Sequence, residues 1–378
     1  MKFTISRDVL MTSVQNVMKA ISSRTAVPIL TGMKIEAQTD GITLTGSDSD
    51  ISIESFIPTE EDGTVHVEHI EPGDIIIQAR FFPDIIRKLP DQTVEIATDE
   101  NMQVKIRSGE AEFQLNGQDA SEYPQFPALI ADQSFKIPAD MLKNLIKQTA
   151  FAISTMETRP ILTGINVKLE DNTLTFTATD SHRLASKQIP VEETDVEFPS
   201  IVIPGKSLNE LNKILTDKND AVEISITKNQ ILFRTEHLSF MSRLLNGNYP
   251  ETSRLIPDQS KTVVHVQTKS LLHMIERASL LAKEDSNNVV KLNTIGNEQI
   301  EITSHSPEIG HVEEKMHIDS MEGEDVKISF SSKYMIDALK AIEYESVKID
   351  FTGGMRPFVL RPANDDPILQ LILPVRTF

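Results

Sequence analysis

The 378-residue chain has no cysteine and no tryptophan, and only 5% of its residues are aromatic. Without cysteine there is no disulfide framework, no thiolate zinc site and no thiol nucleophile. That composition suits a reducing cytoplasm. The shortage of aromatics leaves little for stacking on single-stranded bases. No run of ~18 apolar residues is present to span a bilayer. The opening Met1-Lys2-Phe3-Thr4-Ile5-Ser6 lacks the apolar core of a secretory leader. Positive charge is also scarce, with 37 Lys and Arg against 56 Asp and Glu for a net −19. Such a balance excludes an outer surface coated by nucleic acid or anionic lipid, but leaves room for a local basic face.

What the chain does have is a long-period repeat. Phe3-Thr4-Ile5, Phe135-Lys136-Ile137 and Val264-His265-Val266 each precede an amphipathic stretch. Arg24-Thr25-Ala26-Val27-Pro28-Ile29-Leu30-Thr31-Gly32 is echoed by Arg159-Pro160-Ile161-Leu162-Thr163-Gly164. Each copy then reaches a similar polar segment, read as a turn: Ser47-Asp48-Ser49-Asp50, Thr179-Asp180-Ser181-His182 and Ser304-His305-Ser306-Pro307. Glu122-Tyr123-Pro124 and Asn248-Tyr249-Pro250 close the first two copies. Three units follow, at 1–128, 129–256 and 257–378, joined by proline-containing stretches from Pro124 to Asp132 and from Pro250 to Ser260. Helical spacing alternates with period-two strands within each unit. Phe81, Phe82, Ile85, Ile86 and Leu89 read as one apolar helix face, and Leu208, Leu211, Ile214 and Leu215 as another. The fold class is α+β, with two helices per unit packed on antiparallel sheets.

Catalytic signatures fail one by one. Asp48 and Asp50 read as a turn after a strand. His66-Val67-Glu68-His69 would place its histidines on opposite faces of a strand. Ile203-Pro204-Gly205-Lys206-Ser207 lacks the first glycine of a phosphate loop, Ser200 standing in its place, and suits a helix start better. Asp180-Ser181-His182 holds triad residue types, but sequence neighbours do not make a triad. A polymerase or nuclease would need clustered carboxylates for two metals. The expectation is a protein that is not an enzyme and needs no cofactor or metal.

Charge, by contrast, is unevenly placed. Six helices are predicted at 7–20, 80–89, 140–153, 206–215, 269–283 and 333–342. They hold fourteen basic residues, Arg80, Lys147 and Lys206 among them, against six acidic ones, a balance of +8 that leaves −27 for the remainder. Glutamate is as good a helix former as lysine, so helix propensity does not explain the bias. A helical surface facing a polyanion does, and attraction to phosphates needs no base recognition.

Arg24 to Gly32 with Gly46-Ser47-Asp48-Ser49-Asp50, Thr179-Asp180-Ser181-His182-Arg183-Leu184, Asn248-Tyr249-Pro250 and Leu371-Ile372-Leu373-Pro374-Val375-Arg376 together carry a resemblance. Over its whole length the chain resembles the bacterial β sliding clamps, the processivity factors of the replicative DNA polymerase. The ending Thr377-Phe378 is similar to clamps of low-GC Gram-positive bacteria.

The resemblance implies the DNA clamp fold and a head-to-tail homodimer, with twelve helices lining a hole around duplex DNA. Helices ~9 Å apart give a hole about 35 Å across, wide enough for a duplex. It also implies cytoplasmic DNA replication as a subunit of the DNA polymerase III holoenzyme, bound without sequence preference. A cleft between the second and third units would bind short peptides of polymerase subunits, the clamp loader and repair proteins. The cleft positions carried over from the central unit and its join are Leu162, Thr179, Ser181, His182, Arg183, Leu184, Pro250, Arg254 and Leu255. The third unit supplies Ser331, Tyr334, Met355 and Pro357, with the terminal Leu371, Ile372, Leu373, Pro374, Val375 and Arg376. The leucines are expected as apolar anchors, and His182, Arg183, Arg254 and Arg376 as rim donors. Arg24 and Arg159 map to loops that touch DNA, and Arg80, Lys147 and Lys206 are the helix cations expected to face it. Phe113 and Leu115 of one copy would meet Leu280 and Leu281 of the other. The competing reading is a repeat-built interaction scaffold that never encircles DNA.

Overall fold

The computed structural model describes residues 1–126, 134–194, 196–216, 221–282 and 288–376. Six α-helices are seen among them: α1 Arg7–Val17, α2 Phe82–Lys88, α3 Ala139–Thr149, α4 Gly205–Ile214, α5 Thr268–Ala282 and α6 Ser332–Ala341. Each follows a strand directly or within a short turn, and most present an apolar stripe. In α1 that stripe is Leu10, Val14 and Val17, all buried, while Asp8 favours the positive N-terminal end of the helix. Pro83 sits in the first turn of α2, where no N–H partner is lost.

The chain forms two compact units, and neither coincides with one repeat. The first comprises Met1–Asp140 and Lys213–Leu244, and the second comprises Met141–Asn212 and everything from Leu245. In the first unit a 13-stranded sheet carries the central repeat's Ala221–Ile226, Gln230–Arg234 and Leu238–Arg243 straight into the first repeat's Ile51–Pro58. The joining ladder is antiparallel, from Ser242 opposite Ile51 to Leu238 opposite Ser55. In the second unit a 9-stranded sheet does the same for the central and third repeats. There Arg183–Pro190 pairs with the last strand, Ile368–Ile372. A separate 4-stranded sheet contains Gly310–His317 at its edge. Alternation along strands is kept, so Val94, Ile96, Val104 and Ile106 point into the core.

Several expectations are corrected. Phe81 is 53% exposed and lies outside the apolar face of α2, because the helix begins one residue later and turns Phe82 inward. Arg80 therefore precedes the helix, and Lys19 falls in a 3₁₀ turn after α1. Lys283, Asp132, Thr377 and Phe378 lie outside the described residues. Within the observed helix bounds there remain eleven basic and six acidic residues, a balance of +5. Ser304, His305 and Ser306 belong to the strand Gln299–Ser306 and form no turn, since a full ladder with Gly310–His317 holds them extended. His69 has φ +56°, so His66 to His69 is not a regular alternating strand. His66 instead lies 3.8 Å from Glu61. Gly205 opens α4 because a Cβ there would lie 2.4 Å from Ile153 Cδ1, a close-packing role with no phosphate chemistry.

Candidate functional site

The second unit gathers most of the expected cleft residues at one end of its 9-stranded sheet. The centre is the turn Asp180-Ser181-His182-Arg183. Asp180 Oδ1 accepts from the backbone N–H groups of His182 at 2.9 Å and Arg183 at 3.0 Å, and Ser181 takes φ +80° to close the turn. The first repeat builds the same turn: Asp48 Oδ1 accepts from Asp50 and Ile51, and Ser49 has φ +79°. The sequence echo is thus a shared backbone device.

Arg183 is the structural keystone. Its side chain is buried, with Nε donating to Asp180 Oδ2 at 3.0 Å and Nη1 to Asp337 Oδ2 at 2.6 Å. Nη2 donates to the Phe151 carbonyl at 2.6 Å. The guanidinium also lies over the Tyr334 ring at 4.6 Å and the Phe151 ring at 5.4 Å. It cannot serve as the rim donor expected from sequence, because it is spent on three acceptors inside the fold. Burial and the carboxylate of Asp180 push the Tyr334 hydroxyl pKa up.

The floor beside this turn is apolar. Leu184 stands opposite Leu371 in the ladder, and with Val359 and Leu369 they form a buried cluster flanked by Ile256 and Leu373. Leu184 and Leu371 are each only 2% exposed, so they are floor and not accessible anchors. The accessible apolar groups are Leu255, 51% exposed, and Met355, 59% exposed, with Leu373, Pro374, Val375 and Pro357 half-buried. Leu162, Thr179, Ser331 and Ile372 are buried, whereas Ser181, His182, Pro250, Arg254 and Arg376 are exposed.

The segment after Ile372 is held through Val375. After the strand Ile368–Ile372, Leu373 N–H donates to the His182 carbonyl at 3.0 Å and Val375 N–H to the Ser329 carbonyl at 2.8 Å. Tyr249 braces the opposite side, its hydroxyl accepting from Thr179 N–H at 2.9 Å, while Thr179 Oγ1 donates to the Arg183 carbonyl at 2.6 Å. Burial raises the Tyr249 pKa to about 12. Tyr123, its counterpart in the first repeat, is raised by burial to about 12 as well.

Sequence reasoning missed Asp337, Phe151, Val359, Leu369 and Ile256 as parts of this site. Asp337 had a signal, as an acid on an otherwise basic helix face.

The basic candidates are spread over both units. Arg24 and Arg159 are exposed on loops before short 3₁₀ turns, at Pro28–Thr31 and Pro160–Thr163. Arg159 Nη1 donates to Ser181 Oγ at 3.2 Å. Arg80 stacks on Phe81 at 5.2 Å, and Lys147 pairs with Glu343. Arg87, Arg277 and Lys340 also pair with carboxylates, of Asp84, Glu314 and Glu276. Lys88, Lys206, Lys269 and Lys333 form no ion pair among the described residues. The helix charge is therefore small and partly neutralised.

Among the strands with an unpaired side, two carry or adjoin the residues expected at a subunit contact. Ala111–Gln118 pairs with Gly73–Gln78 only through Gly117 and Gln118, leaving 111–116 one-sided. Among the described residues, Gly310–His317 is paired on one side only. Phe113 is 39% exposed and Leu115 half-buried on the first strand. On α5, Leu280 is 65% exposed and Leu281 half-buried.

Comparison with known proteins places these features in context. Three family models match in tandem: the N-terminal, central and C-terminal domains of the DNA polymerase III beta subunit, over residues 1–127, 136–251 and 253–376. The chain is 56% identical over 378 residues to the beta sliding clamp of Bacillus subtilis, covering all of both chains. It is 48% identical to that of Staphylococcus aureus, again over the full length of both. The crystal structure of the Bacillus subtilis DNA polymerase sliding clamp superposes with a TM-score of 0.96, covering 100% of each chain. The beta subunit of the Streptococcus pyogenes DNA polymerase, 41% identical and likewise fully covered, superposes with 0.95.

Proposed function

The chain belongs to the β sliding clamp family, the beta subunits of DNA polymerase III, and on that premise we propose that two copies close head to tail into a ring around duplex DNA. The chain is a DNA clamp built of three tandem clamp domains, matched over residues 1–127, 136–251 and 253–376, and the proposal sets the repeat boundaries near 128 and 256. The single observation that supports the ring is the pair of one-sided strands, 111–116 and Gly310–His317, with Phe113 and Leu280 exposed beside them. A bare edge invites addition of another strand. A heterologous contact used twice closes a two-membered ring and covers both of these edges in each copy.

The ring holds DNA by topology. Arg24, Arg159, Arg80, Lys147 and Lys206 supply weak, sequence-blind phosphate contacts that permit sliding. A net −19 per chain opposes tight direct binding. The protein performs no chemistry and acts in cytoplasmic DNA replication as a tether. The surface around Leu255, Met355, Leu373 and Pro374, over the Leu184–Leu371 floor, receives short peptides from polymerase subunits, the clamp loader and repair proteins. Arg183 positions that surface without touching the guest. Retention on closed circular DNA and loss upon linearisation tests the reading.

A further inference from the structure

We infer that a cavity in the first unit, between α1, the end of α4 and the seam of Ile51–Pro58 with Leu238–Arg243, binds an aliphatic primary ammonium on a short methylene chain. Its volume is about 520 Å³, within the range of small-ligand sites.

The molecule itself shows what such a space takes. The two sheet seams have the same register. Ser55 lies opposite Leu238 four residues after Ile51, as Lys187 lies opposite Ile368 four residues after Arg183. Ser13 likewise occupies the place of Leu145, each ten residues beyond the phenylalanine that opens its repeat, Phe3 or Phe135. In the second unit the equivalent positions carry larger side chains, both buried. Lys187 is 7% exposed, its Nζ 2.6 Å from both carboxylate oxygens of Asp366, and Asp366 also accepts from the Tyr344 hydroxyl at 2.8 Å. Leu145 is fully buried.

In the first unit two serines stand where leucine and lysine stand in the second. Ser55 donates to Ser13 at 3.1 Å, and both are buried. They are too small to fill the volume, so the cavity remains. Its carboxylate does too. Glu236 precedes Leu238 by two residues, as Asp366 precedes Ile368, and it lines the cavity. Glu236 makes no side-chain hydrogen bond or ion pair among the described residues. Glu61, also in the lining, is taken by His237 at 2.9 Å, and the buried Nδ1 of His237 has no partner. Val9, Ile57, Pro58 and Leu215 supply apolar wall for methylenes. A guest of lysine side-chain shape restores what the second unit carries covalently, with its ammonium at Glu236 and its chain over the serines.

The test is a titration of the full-length dimer with 1,5-diaminopentane at low ionic strength, read by saturation-transfer NMR and calorimetry. Saturable binding at one site per chain is expected, weakened about fivefold by Glu236→Gln, the worth of roughly one exposed ion pair. Ser55→Lys should abolish it by filling the cavity, and Ser13→Leu should do the same if Ser55→Lys fails to fold. A capped lysine binding in place of the diamine would identify the source as a side chain of another protein and still support the site. The inference is overturned if neither amine saturates, if 1-pentanol binds as well as the diamine, or if a folded filled variant binds like the parent.

Discussion

Arg183 Nη1 donates to Asp337 Oδ2 at 2.6 Å, joining the central repeat's polar turn to helix α6 of the third repeat. The bond does not stand alone. Asp180, the Phe151 carbonyl and the Tyr334 ring surround the same guanidinium. A planar, always charged group with fixed donors can satisfy three acceptors at once, and lysine cannot. The contact is a packing one, one layer beneath the surface proposed to receive a guest.

Arg183→Ala leaves Asp180, Asp337 and the Phe151 carbonyl without their partner. A loss of about 2 kcal/mol of stability is expected, less than for a fully buried pair because Asp337 remains partly exposed. Urea unfolding of the variant against Asp337→Ala and the double variant would measure it. Purely additive losses would show that the two residues are not coupled.

Much of the fold was legible in the sequence, because long repeats and period-two strands are strong local signals. Leu208, Leu211, Ile214 and Leu215 are buried as their spacing requires. The third repeat's Ser304 to Ser306 reads as a turn in sequence because small polar residues suit turns and solvated strands alike, and only the ladder with Gly310–His317 decides for the strand. The site was legible by resemblance as a set of positions, not as roles. Sequence cannot tell Leu184, sealed against Leu371, from Leu255, left open. Nor can it foresee that Arg183 is turned inward, since Phe151 and Asp337 lie 32 and 154 residues away.

Phe113→Ala combined with Leu281→Ala is expected to give folded monomers. Both side chains retain exposure in the single chain, so truncation should spare each unit's own core. Sedimentation with circular dichroism would decide. A double variant still dimeric at nanomolar concentration would speak against this interface.

Deleting residues 374–378 should abolish binding of a Gln-Leu-x-Leu-Phe type peptide while the ring still forms. The deletion removes the half-buried Pro374 and Val375 and the hydrogen bond to Ser329. Each buried anchor of the guest should contribute roughly 1.5–3 kcal/mol, so losing one wall reduces affinity by at least about tenfold. Calorimetry giving an unchanged affinity would remove this surface from the account.

Tyr249 links the site to alkaline pH. Its pKa is raised to about 12 from the ordinary value near 10, chiefly by burial, so the fold favours the neutral phenol. That contribution is fully present below pH 10 and is lost as pH rises through 10 toward 12. Tyr249→Phe should flatten the decline in unfolding free energy between pH 9.5 and 11. A parent and variant with parallel pH profiles would refute the coupling.

The most direct test of the central claim loads the protein onto closed circular DNA, raises the salt, and then cuts the circle once. The account predicts retention through the salt step, because a closed ring needs no strong phosphate contacts, and rapid release after the cut. Equal loss from circular and linear DNA would contradict it.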